Sequence, residues 1–203
     1  MNGNLLLAAL SLIGTTAYLL VFVSLHALPT GYNPVRNAVS DYAVGKYGTL
    51  FRIGLWFSAF GVLTLTFAMR RAVGSPPLPR VVSLYLGLIV ATRIGMSLFH
   101  TDLEGAPVTR RGIVHYAFAI AAFTFTYLAI SKSTPVLRDL DPSSWRRTAL
   151  RWSAAAVLPE LAVVVLTMFR PLRRVFGLVE RIFLITTNIW FIIVGLLIIK
   201  LVR

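Results

Sequence analysis

No cysteine occurs among the 203 residues. That excludes disulfides, thiolate nucleophiles, Cys-ligated zinc and iron–sulfur clusters. A chain without thiols is also indifferent to the redox state of its compartment. Charge is scarce. Only 13% of the residues are charged, about half of what a soluble domain carries. Acids are the rarest part, with 7 Asp and Glu against 20 Lys and Arg.

What is present is apolar. The chain is 57% hydrophobic, with a mean hydropathy of +0.79. That content excludes disorder, and soluble folding would leave large apolar patches uncovered. Lipid as the solvent resolves the conflict. The net charge of +13 then has a simple reading. The basic residues sit between apolar stretches, not on one helix face or in an RNA-binding motif. They read as anchors against anionic headgroups, not as a nucleic-acid interface.

A spanning helix needs roughly 20 mostly apolar residues to cross about 30 Å. Six stretches meet or approach this: 5–26, 53–69, 81–99, 113–130, 152–169 and 182–199. The expected fold is therefore all-α, a bundle of six transmembrane helices forming one domain over residues 1–203. No basic residue precedes Arg36 and the first apolar run is long, so it reads as a retained helix and not a signal peptide. Arg70-Arg71 and Ser75-Pro76-Pro77-Leu78-Pro79-Arg80 separate the second and third spans. Pro142-Ser143-Ser144-Trp145-Arg146-Arg147 separates the fourth and fifth, and Arg170-Pro171 ends the fifth. Short connections make neighbouring helices antiparallel.

An even number of spans puts both termini on one side. That side collects ten Lys and Arg and the opposite one nine. The positive-inside bias leans by that single residue to a multi-pass cell-membrane protein with both termini cytoplasmic. One internal echo occurs: Gly48-Thr-Leu-Phe-Arg52-Ile53 resembles Gly177-Leu-Val-Glu-Arg181-Ile182.

The polar groups are unevenly placed. The face opposite the termini, called the far face here, holds all three His: His26, His100 and His115. It also holds Asp41, Asp102, Glu104 and Glu180. The termini face has Asp139 and Asp141, expected in a solvated connector. Two charges fall inside spans, at a cost of at least about 2.5 kcal/mol each. Arg93 should lie about 9 Å from the far-face end of its helix and Glu160 about 14 Å from its own. Their similar depth suggests a pair, with Asn188 near the same level. It would either floor a polar cleft or fix helix register as a buried ion pair.

Three chemistries suit such a cluster. His26, Asp41, Asp102 and His115 are candidate zinc ligands, and with Ser40 they suggest metal-assisted hydrolysis. Their spacing matches no short metal motif. His26 and His115 could in principle hold a haem, although both sit near helix ends. The third is binding or passage of an ion or lipid headgroup, with Arg93 attracting an anion. The aromatic residues crowding the fourth span read as packing and interface anchors.

The string Tyr32-Asn33-Pro34-Val35-Arg36-Asn37-Ala38-Val39-Ser40-Asp41-Tyr42 carries a resemblance. So do Phe99-His100-Thr101-Asp102, Gly112 with His115, and Gly177 with Glu180-Arg181. In that order these motifs resemble the multi-helix prokaryotic membrane proteins grouped as domain-of-unknown-function family 998. The resemblance implies a six-helix membrane fold and no assigned activity. The family pattern has Pro where this chain has His100, which favours Asp102 and His115 over His100 as working residues. Similarity to zinc-dependent intramembrane lipid hydrolases extends only to residue types and lacks their paired C-terminal His. The expected function is binding of a small ion or lipid headgroup in a far-face cleft by Arg93, Asp102, His115, Glu160, Glu180 and Arg181. A metal-dependent lipid hydrolase using Ser40, Asp41, Asp102 and His115 is the enzymatic alternative. A scaffold or sensor held by Arg93–Glu160 is the structural one.

Overall fold

The structure, a computed structural model, describes residues 3–74, 77–142, 144–169 and 171–203. Ser75, Pro76, Ser143 and Arg170, read above as parts of helix-ending connections, lie outside the described residues.

Six helices are long and apolar enough to cross a membrane. They are α1 (Gly3–Ala27), α2 (Gly48–Ala72), α3 (Arg80–Leu98), α4 (Arg110–Leu137), α5 (Trp145–Thr167) and α6 (Phe176–Val202). A 3-10 turn, Val39–Ala43, interrupts the long first far-face loop, and another, Leu172–Val175, leads into α6. No strand occurs among the described residues. The helices run past most of the expected spans, because basic and small residues at their ends extend a helix into the headgroup layer without adding hydropathy.

Consecutive helices pack against one another, and α6 returns to α1 and closes the ring. Small residues set the closest approach. A Cβ on Gly14 of α1 would stand 2.8 Å from the Gly61 backbone of α2. In lipid, where no hydrophobic force joins helices, such backbone contact supplies much of the packing energy. α6 is the most buried span and α5 the least. Large side chains such as Trp56, Phe60 and Phe67 on α2 and Trp152 on α5 face outward, where lipid covers them. Many span hydroxyls are satisfied locally, Ser11 of α1 being an exception. Thr66, Thr126 and Ser133, for example, donate to carbonyls one turn back, as hydrocarbon requires.

The termini face is more ordered than a solvated connector. Asp141 is buried, accepting from Lys200 Nζ at 2.6 Å and pairing with Arg146 at 3.2 Å. It thereby ties the end of α6 to the start of α5. These cationic donors hold its carboxyl below the usual carboxylate range, with the Lys200 bond the largest cause.

Candidate functional site

The far face is assembled by one docking event: the first loop lies down on the start of α6. Gly177 makes this approach feasible. A Cβ there would collide with the Asn37 carbonyl and come within 2.8 Å of the Pro34 carbonyl. The Leu178 amide donates to Val35 O at 3.1 Å, so a loop carbonyl satisfies one of the amides a helix start leaves open. In return Glu180 Oε2 accepts from the Val39 amide at 2.6 Å, which opens the 3-10 turn.

Arg181 completes the joint. Its Nη1 donates to Asn37 O at 2.7 Å and Gly177 O at 2.8 Å, and its Nη2 donates to the Tyr42 hydroxyl at 3.3 Å. Its Nε donates to His26 Nε2 at 2.7 Å. His26 Nδ1 lies 2.7 Å from Phe22 O. A carbonyl only accepts, so Nδ1 carries the proton and Nε2 is the lone-pair acceptor. His26, Tyr42 and Arg181 therefore form one hydrogen-bonded network joining α1, the loop and α6, and Glu180 ties the same loop to α6 through Val39. The sequence motifs pointed to Glu180 and Arg181. They gave no sign that His26 and Tyr42 would be partners of Arg181.

The second far-face loop is organised by Asp102. Its carboxylate accepts from the Thr109 amide at 2.7 Å and the Thr109 hydroxyl at 2.8 Å. Thr109 is in turn the N-cap of α4, accepting from the Gly112 amide at 3.0 Å. An acid at the positive end of a helix is stabilising. Gly112 leaves room for this carboxylate, which a Cβ would overlap. Asp102 is thus engaged in the architecture of the loop. His115, fully buried, donates through Nδ1 to Phe99 O, 2.8 Å away, and its Nε2 has no partner among the described residues. The echo between α2 and α6 has a physical basis as well. Gly48 and Gly177 both lie beneath loop carbonyls, and Arg52 lies 3.5 Å from His100 as Arg181 lies against His26.

Several expectations need correction. Arg93 and Glu160 do not pair. Glu160 Oε1 accepts from Thr186 at 2.8 Å and its Oε2 is unpartnered. Arg93 has Tyr18 and Glu180 as electrostatic neighbours. The two therefore have separate partners in the ring. Asn188 Nδ2 turns back to Leu184 O at 2.7 Å. The zinc and haem candidates also separate. His26 is committed to Arg181, whereas His115 sits against Phe99. Among the described residues, no three His, Asp or Glu converge as a metal cluster. Ser40 lies in the 3-10 turn beside Asp41, and among the described residues no imidazole is hydrogen-bonded to it.

Between the two loops and the starts of α4 and α6 lies a cavity of about 350 Å³. Arg36, Asp41, Asp102, Glu104 and Arg173 line it, and Val108, Tyr116, Met168 and Phe176 supply apolar surface. Burial pushes the Asp41 carboxyl above the usual carboxylate range, with Asn37 and Arg181 pulling the other way. Arg173 and Glu104 meet at 3.3 Å, both about half-exposed. Arg36 is exposed and forms no ion pair among the described residues.

The family described as "Protein of unknown function (DUF998)" matches residues 12–197, and the chain belongs to it. No curated protein and no solved structure matches the chain.

Proposed function

We propose that this integral membrane protein binds the polar headgroup of a zwitterionic phospholipid in its far-face cavity. One observation carries the reading: the cavity presents both signs of charge beside an apolar margin. Arg36 is free to meet a phosphate. Arg173 can exchange its exposed partner Glu104, since such surface pairs contribute little. Asp41 offers a carboxylate to an amine. Val108, Met168 and Phe176 would lie along the first carbons of the acyl chains. A volume of about 350 Å³ is within the range of small-molecule sites, roughly 300–1,000 Å³.

Binding is favoured over hydrolysis because Ser40, Asp41, Asp102 and His115 lack the nucleophile–base contact that catalysis uses. Residence in the cell membrane with both termini cytoplasmic belongs to the same proposal, so the headgroup would come from the outer leaflet. Native mass spectrometry of protein released from mild detergent tests the reading. Wild type should retain a phospholipid mass that the Arg36→Ala/Arg173→Ala variant loses. Equal retention by both proteins overturns it.

A further inference from the structure

We infer that Arg93, together with the Tyr18 hydroxyl, forms a second and deeper site inside the bundle that takes a small inorganic anion such as a halide. Arg93 is 4% exposed. A guanidinium carries five N–H donors and cannot shed its charge. The other buried guanidinium shows what such a group needs. Arg181 meets His26, Asn37 O, Gly177 O and Tyr42. Arg93 meets nothing comparable. Its Nε has no hydrogen-bond partner, and it forms no ion pair among the described residues.

Glu180 is an acidic electrostatic neighbour of Arg93, but that carboxylate is anchored on the Val39 amide and is also an electrostatic neighbour of Arg181. At this end two buried guanidinium groups, Arg93 and Arg181, stand with two buried carboxylates, Glu180 and Asp41, but Asp41 accepts from Asn37 and has Arg181 as its cationic neighbour. Arg93 is thus a buried charge with no contacting counter-ion among the described residues, and an uncompensated buried charge is strongly destabilising. Tyr18 of α1 is buried and is an electrostatic neighbour of Arg93, Glu180 and Arg181 alike. Its hydroxyl supplies a second donor. Arg93 does not line the far-face cavity, so the occupant is a small ion and not the headgroup proposed above.

The test uses full-length protein in detergent, melted in sodium gluconate and in sodium bromide at equal ionic strength. Bromide should raise the melting temperature saturably, by roughly 3–6 °C at ten times its Kd. Arg93→Gln should abolish that rise and Tyr18→Phe should weaken it. Arg36→Ala/Arg173→Ala should keep it in full, which separates this site from the lipid cavity. Coincident wild-type melts in the two salts overturn the inference, as does an unchanged bromide shift in Tyr18→Phe or Arg93→Gln. If Arg93→Gln does not fold, the wild-type and Tyr18→Phe melts decide.

Discussion

Arg181 Nε donates to His26 Nε2 at 2.7 Å, joining the end of the first helix to the start of the last. The contact holds the imidazole as the neutral tautomer protonated at Nδ1. It also leaves Nη1 and Nη2 free to hold the loop at Asn37 and Tyr42. Arg181→Gln should destabilise the protein by about 3–5 kcal/mol, because several buried acceptors lose their donor together. Arg181→Lys should rescue little, since an ammonium lacks the planar fork. Unfolding in mixed detergent measures both.

Gly177→Ala tests the docking of the first loop without touching a charge. Its methyl would displace the Asn37 and Pro34 carbonyls and should weaken the fold by about 1–3 kcal/mol. Faster proteolysis within residues 28–47, with the spans intact, is the expected signature.

These two features show where sequence reading reached and where it stopped. The six spans were legible because hydropathy is local: each apolar run declares itself without its neighbours. The far-face clustering of His and acids was legible because helix count fixes sides. Pairing was not. Arg181 and His26 are 155 positions apart, and no periodicity connects them. Arg93 and Glu160 were matched by depth, which is one coordinate of three. Position around the ring decides, and it turns Glu160 to Thr186 and Arg93 toward Tyr18. Asp141 looked like connector because its partner Lys200 is 59 residues on.

The separation of Arg93 from Glu160 predicts additivity. In a double-mutant cycle with Arg93→Gln and Glu160→Gln, the coupling should stay within about 0.5 kcal/mol, as for distant sites. A coupling of 2 kcal/mol or more would restore the ion pair.

Asp141 predicts acid sensitivity at the termini face. Its folded pKa lies below the ordinary carboxylate value. Its contribution is therefore present above the unfolded pKa of about 4 and is lost as pH falls through the folded value. Melting temperature followed downward from about pH 5 should drop less steeply in Asp141→Asn than in wild type.

The headgroup cavity is tested most directly by a phospholipid carrying a photoactivatable group next to its phosphate, cross-linked in vesicles and mapped by peptide sequencing. Label should concentrate in residues 101–116 and 168–176 and be removed by excess unlabelled phospholipid. Label spread over outward faces such as Trp56, Phe60 and Phe67, and insensitive to competitor, would contradict it.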